Sequence, residues 1–440
     1  MLREHARRGP LAVALAGTIA AAGGGLAAAA ATPAEDDPAV RTAQRPASVA
    51  KNVIFIQGDG MGIAHRELIR LATKGKDGGL TMDGLRYSGW TSTDSADPEE
   101  AVTDSAAGAT AFASGVRTFN GGVGVDAQGR PVPTLLERAG EAGKSTGLVT
   151  TAQVTDATPA AFGAHVRDRA EQSEIARQYL ERSKPAVILG GGEDRWLPAG
   201  DPGAFPDAPA TDPEEKSQSD KGNLIDRARE LGYRYVNSAE ALAQARGNRL
   251  LGLFANEEMF EQKEEGKGDV YAPVVPLHTM TAKALDVLSR DQDGFFLLVE
   301  EEGIDEFGHN NNAEKVILAG RALDRAVAVA MRYARRTPGT LVLVVGDHET
   351  GGLAIENVDA NDESGQPTPT GPEGPTSTED GPFALRGTNL QFTVDWTTGQ
   401  HTGAATPLTA EGPGAATLAR AQKNTDVHDR VLRAMRLDAD

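Results

Sequence analysis

Histidine is scarce in this chain, eight in 440 residues. Three of them stand in glycine-punctuated segments that also carry carboxylates or threonine: Asp305-Glu306-Phe307-Gly308-His309, Gly346-Asp347-His348-Glu349-Thr350-Gly351-Gly352 and Gly399-Gln400-His401-Thr402-Gly403. Asp305 and His309 are four residues apart, so a turn or short helix lets both face one ion. An adjacent Asp-His pair such as Asp347-His348 suits a hard-to-borderline cation such as zinc, although an ordinary hydrogen-bonded loop uses the same pair. Asp59 lies in Gly58-Asp59-Gly60-Met61-Gly62, where glycines let the backbone turn tightly and let a ligand approach; the plain alternative is a surface turn. Cysteine is absent, so any metal must be held by His, Asp and Glu. His65, His165, His278 and His428 sit in helix-like or mixed sequence and read as structural.

Ser105 is the candidate nucleophile. It follows Asp104 and opens the run Ala106-Ala107-Gly108-Ala109-Thr110-Ala111, which places it at a helix N-terminus, where free N–H groups and the helix dipole attract an anion. Plain N-capping accounts equally for an Asp-Ser pair. The tiny side chains that follow leave room for a bulky ligand at the hydroxyl.

These residues need elements that bring distant segments together. Short β-branched or aromatic runs at Asn52–Gln57, Ser145–Thr151, Ala186–Leu189, Phe295–Val299 and Leu341–Val345 read as buried strands. Helical patterns lie between them at Thr134–Glu141, Glu171–Arg182, Thr279–Leu288 and Glu314–Arg335. Alternation of this kind predicts an α/β fold, a mostly parallel sheet with helices on both faces. Ligands of such sheets collect at the carboxyl ends of the strands, which is where Asp59, Asp347 and the acidic run from Glu300 stand. The stretches 192–223 and 356–387 are rich in Pro, Gly and polar residues and are expected to be surface insertions in a single large domain spanning 51–440.

Composition is that of a globular protein, 39% hydrophobic and 24% charged, with a net charge of −19 that argues against nucleic acid as a standing partner. Arg3, Arg7 and Arg8 precede an apolar, alanine-rich run closed by small residues, so residues 1–34 read as a secretory signal peptide and 35–50 as a mature leader. The run is also long enough to span a bilayer as an uncleaved anchor, but cleavage, a secreted or cell-envelope location and no stable membrane anchor are the expectation. A homodimer is left open.

Lys51–Gly62, Thr103–Ala107, Asp156–Ala160, Gly294–Glu300, Asp347–Gly352 and His401–Gly403 occur in the order shown by the bacterial alkaline phosphatases, and the chain resembles that family over nearly all its length beyond the leader except the two insertions and the C-terminal tail. The resemblance implies a phosphate-monoester hydrolase with two zinc ions and one magnesium ion. One zinc would take Asp305, His309 and His401, and the other Asp59, Asp347 and His348. Magnesium would share Asp59 and add Thr158, Glu300 and waters. Ser105 matches the nucleophile, and Arg169 falls where the family has its phosphate-clamping guanidinium. An exported enzyme of this kind would act on phosphate monoesters, release inorganic phosphate and serve phosphate scavenging.

The chain also departs from the family. Glu306 stands where many bacterial members carry Lys or an aromatic residue, and members with Asp at the position of Asp156 commonly pair it with that Lys. Thr350 occupies a place where some members have His. A sulfatase of the same superfamily is excluded by Ala106-Ala107-Gly108 after Ser105. A phosphodiesterase using the same metals and a non-catalytic phosphate-binding protein are the alternatives.

Overall fold

Strand β1 (Asn52–Gly58) forms at the centre of a sheet because it is apolar on both faces, and all seven of its residues are buried. Side chains alternate across a strand, so Val53 and Phe55 enter one core cluster while Ile54 and Ile56 enter another on the opposite face. The same division runs through β7 (Phe295–Glu301) and β8 (Thr340–Val345), its two neighbours. The computed structural model describes residues 49–205, 216–263, 268–358, 370–371, 374–375 and 378–437, all within one compact unit, Pro46–Asp440. The expected signal peptide, and all but the end of the leader, lie outside the described residues.

The other strands of this sheet are β2 (Tyr87–Ser92), β3 (Ser145–Gln153), β4 (Val187–Gly191), β5 (Arg234–Val236), β6 (Leu250–Leu253) and the segments Thr406–Glu411 and Ala421–Lys423. They form a ten-stranded sheet in the order Ala421–Lys423, β2, Thr406–Glu411, β8, β1, β7, β3, β4, β6, β5. Only Thr406–Glu411 runs against its neighbours. The sheet is mostly parallel, as the alternating sequence pattern predicts, and the antiparallel strand and its neighbours extend one edge.

Helices cover both faces. Ile63–Lys74, Leu277–Leu288 and Ala313–Arg336 pack on the Ile54 side, and Ser105–Ser114, Leu135–Glu141, Ala157–Gly163 and Asn424–Met435 on the Phe55 side. Thr134 begins its helix through a capping box, accepting from Glu137 N while Glu137 accepts from Thr134 N. The pattern expected over Glu171–Arg182 is α-helical only for Gln172–Gln178 and closes in a π-turn, Tyr179–Ser183. Phe55 ties the sheet to two of these helices, because its ring meets Phe112 of the Ser105 helix at 5.7 Å and Phe162 of the Thr158 helix at 5.2 Å. Truncating such a residue to Ala typically costs about 3–5 kcal/mol, so two helices that carry candidate site residues depend on one ring.

The polar stretches dock on this frame. Trp196 is fully buried within the Phe55-side cluster, although it falls inside 192–223. Ala354–Asn357, Thr378–Ala384 and Gln391–Trp396 make a small antiparallel sheet, and residues 359–369 between them lie outside the described set. Among the described residues no helix is long and apolar enough to cross a membrane.

Candidate active site

Register aligns the strand ends. Gln57 of β1 pairs with Glu300 of β7 and with Val345 of β8, so the residues that follow emerge on one edge of the sheet. Asp59 leaves β1 in a turn where Gly60 has φ +64°. A Cβ on Gly60 would lie 2.5 Å from Asp305 Oδ1, so glycine here permits both the left-handed turn and the approach of the β7 segment. Asp305 and His309 share the short helix Gly303–His309, and Asp347-His348 follow β8 directly. His401 arrives on a two-residue antiparallel pair, opposite Thr350. Thr158 lies on the helix after β3, where its Oγ1 accepts from Gln57 Nε2 at 2.7 Å and donates to Asp59 Oδ2 at 3.2 Å.

Two clusters of donors result. Nε2 of His309 stands 3.2 Å from Asp305 Oδ2 and 3.0 Å from His401 Nε2. Both rings commit Nδ1 to backbone carbonyls, His309 to Gly399 at 2.8 Å and His401 to Thr103 at 3.0 Å. With both rings neutral, each would point an Nε2 lone pair at the other, so a proton or a metal cation is needed between them. In the second cluster Thr350 donates to Asp305 Oδ1, which leaves its oxygen to accept from His348 Nδ1 at 3.3 Å. His348 Nε2 then faces Ser105 Oγ at 3.1 Å, Asp59 Oδ1 at 3.3 Å and Asp347 Oδ2 at 3.5 Å. Those two carboxylate oxygens are buried without a hydrogen-bond partner. Buried acceptors left this way are costly unless a metal completes them, so the donor sets fit divalent cations. One ligand atom from each of Asp59, Asp347 and His348 lies within 4.8 Å of the others, and the same holds for Asp305, His348 and His401. His348 thus stands between the two groups.

Electrostatics follow this crowding. Burial opposes ionisation of Asp305, yet the His309 and His401 imidazoles hold it well below the usual carboxylate range. Burial and then the Asp59 charge push Asp347 and Glu300 well up. Burial lowers His309, but Asp305 outweighs it and brings the imidazole to about 10. Glu300 also accepts from Thr150 at 2.6 Å.

Ser105 is the first residue of its helix, almost fully buried, and Asp104 is its N-cap, accepting from Ala107 N at 2.9 Å. The side chain of Asp104 also accepts from Gly121 N at 2.9 Å and lies 3.5 Å from Arg169 Nη1. Arg169 Nη2 donates to both oxygens of Asp156, at 3.0 and 2.9 Å. Asp156 and Asp104 together raise the guanidinium's hold on its proton, against the effect of burial. The carboxylate that lacks a neighbouring lysine has taken the arginine as its cation. Ser105, Arg169, Asp59, Asp305, His309 and His401 line one cleft of about 530 Å³. Thr158, Glu300, Asp347 and His348 adjoin it through the contacts above. Glu100, Asn120, Glu302 and Gln400 also line it and carry no motif that sequence reasoning detects.

A parallel α/β sheet with a serine, an arginine and a carboxylate–imidazole cluster at its strand ends defines a hydrolase-type architecture. The alkaline phosphatase family profile matches residues 50–366, and the chain belongs to the alkaline phosphatase family of hydrolases. It is 30% identical over 436 residues to alkaline phosphatase 3 of Bacillus subtilis, covering 88% of this chain and 89% of that one. It is 34% identical over 451 residues to the streptomycin-6-phosphate phosphatase of Streptomyces griseus, covering 91% and 94%. Among solved structures, the alkaline phosphatase of the Antarctic bacterium TAB5 superposes with a TM-score of 0.70 at 27% identity, over 89% of this chain and all of that one. A mutant of that enzyme has been solved with Mg bound.

Proposed function

We propose that this protein hydrolyses phosphate monoesters through a phosphoserine intermediate on Ser105, with Asp305, His309 and His401 holding one zinc ion, Asp59, Asp347 and His348 a second, and Asp59, Thr158 and Glu300 a magnesium ion. The observation that carries the reading is the position of Ser105 Oγ, 3.1 Å from His348 Nε2 in a cleft that also holds Arg169. When bound, the ions would supply Lewis acidity to the phosphoryl and reacting oxygens and lower the pKa of the serine hydroxyl and of water.

The chain's own residues do the rest. Arg169 offers its guanidinium to two equatorial phosphate oxygens, in exchange for part of its contact with Asp156. Ser105 Oγ attacks phosphorus as the ester P–O bond breaks, and the proton lost by the serine hydroxyl leaves on the alcohol. Water then attacks the phosphoserine, the Ser105 Oγ–P bond breaks, one water proton returns to Ser105 Oγ, and inorganic phosphate departs. Asp104 holds the helix start and the arginine together, so nucleophile and clamp keep a fixed relation. The small residues Ala106 and Ala107 leave room for the phosphoryl group. Export by the N-terminal segment and a phosphate-scavenging role complete the reading, supported by the basic and apolar pattern of residues 1–34.

Turnover of an aryl phosphate monoester and of the matching diester, with zinc and magnesium supplied, tests the proposal. The expected result is a strong preference for the monoester. A preference for the diester, or no turnover of either, contradicts it.

A further inference from the structure

Beyond the residues that would hold metal and phosphate, the cleft has a wall of one sign. Glu100, Glu302 and Glu306 line it with the neutral Asn120 and Gln400, and because burial pushes the carboxyls of Glu302 and Glu306 up, the exposed Glu100 carries most of the wall's charge. Apart from the imidazoles assigned to metal, Arg169 is the one cation among its lining residues, and its guanidinium is already faced by Asp156 at 2.9 Å and Asp104 at 3.5 Å. Glu100 is exposed, and it is braced: Asn120 Nδ2 donates to Glu100 Oε2 and to Val102 O, the latter at 2.9 Å, while Asn120 N donates to Asp97 Oδ2 at 3.0 Å. The net charge of −19 adds a background of the same sign. A monoester whose phosphate sits between Ser105 and Arg169 holds its alcohol portion in the same cleft, which these carboxylates line.

We propose that the cleft selects monoesters with a cationic leaving group, an amino or quaternary-ammonium alcohol, over those with an anionic one, and that Glu100 is a specificity-determining carboxylate. The inference rests on the monoesterase reading above and gives it a substrate class. At roughly 7 Å in a water-rich cleft, one pair of unit charges is worth about a three- to sevenfold factor, shrinking as salt screens it. Exchanging a positive for a negative leaving group counts that factor twice.

The test is kcat/KM of the zinc- and magnesium-loaded enzyme on phosphocholine, glycerol phosphate and phosphoglycerate, a cationic, neutral and anionic series of similar size. At low salt the cationic ester is expected to exceed the anionic one by about tenfold, with the neutral one between, and the ratio should fall at high salt. Glu100→Gln, which keeps an acceptor for Asn120, should shrink the ratio at least twofold, chiefly through KM, and Glu100→Lys should shrink it further. A low-salt ratio above threefold that falls both with salt and in Glu100→Gln supports the inference, and any other ratio behaviour overturns it. If glycerol phosphate itself is not hydrolysed, the monoesterase reading falls and takes this one with it. If it is hydrolysed but the series is flat, only the leaving-group inference falls.

Discussion

The sheet has a cleft at each end of its parallel strands, and the larger one is not where the chemistry gathers. At the amino ends a cleft of about 670 Å³ is lined by Glu137, Glu141, Lys144, Arg182, Lys184 and Arg249 among others. Its charges have ordinary local partners: Arg182 donates to Glu137 at 2.9 Å, Lys144 to the Asp293 carbonyl at 2.6 Å, and Arg249 to the Leu231 carbonyl at 3.1 Å. At the carboxyl ends the smaller cleft concentrates buried carboxylates and imidazoles that cannot satisfy one another, and Asp59 Oδ1 and Asp347 Oδ2 have no hydrogen-bond partner. Volume therefore says less than unmet polar demand. Groups that a fold buries without completing them are groups that something else completes.

Substitutions at the two ends should separate them sharply. Ser105→Ala is expected to lower kcat by roughly a thousandfold or more with little change in Tm, whereas Lys184→Asn in the amino-end cleft should leave kcat/KM within about twofold. An equal effect of both would break the contrast. Metal removal comes next: chelation should reduce activity by about a hundredfold or more and lower Tm by several degrees, because carboxylates such as Asp347 would lose their counter-charge. Zinc plus magnesium should restore turnover. Recovery with calcium alone would show the imidazole-based reading to be wrong.

Glu306 sharpens the comparison from inside the site. It lines the carboxyl-end cleft, at the position where the family resemblance leads one to expect a Lys beside an Asp156-type residue. Glu306→Lys would replace an acidic side chain by a positive charge in the phosphate's surroundings and compete for Asp156, releasing Arg169. The inhibition constant for inorganic phosphate is expected to fall by about three- to tenfold at low salt, with kcat falling if product release becomes limiting. Unchanged phosphate inhibition would place Glu306 outside the field of the bound ion.

A smaller effect concerns stability. Glu301 is fully buried, and although Thr151, Tyr271 and Gly303 donate to it, burial raises its carboxyl to about 7. Because the folded value lies above the unfolded value of about 4.3, the protonated form favours folding. That contribution is complete below about pH 4 and is lost as pH rises toward 7, a change of order 3 kcal/mol. Glu301→Gln should therefore reduce the loss of Tm between about pH 5 and pH 8, and a pH profile parallel to the parent would refute the argument.

Strands β1, β7 and β8 and the residues after them were legible in the sequence because a buried parallel strand must be apolar on both faces, so an abrupt change to Asp, Glu or His marks its end. Edge elements were not. Tyr87–Ser92 is half exposed and contains Gly89, and Thr406–Glu411 carries Pro407, so neither gives a continuous apolar run. Trp196 was hidden inside a polar, proline-rich stretch, although the large, apolar indole ring there was a signal of docking. Within the site, spacing exposed Asp305 with His309 and Asp347 with His348. The pairing of Arg169 with Asp156 and the bracing of Glu100 by Asn120 depend on tertiary placement and leave no periodic trace.

Nucleophilic catalysis at Ser105 stands or falls on where the phosphoryl group is held between the two halves of the reaction. Mixing the zinc- and magnesium-loaded enzyme with a phosphate-labelled monoester, quenching in acid and mapping the labelled peptide would locate it. Label is expected on Ser105 and absent from Ser105→Ala. Turnover with label on any other residue, or with no covalent label at all, would contradict the mechanism.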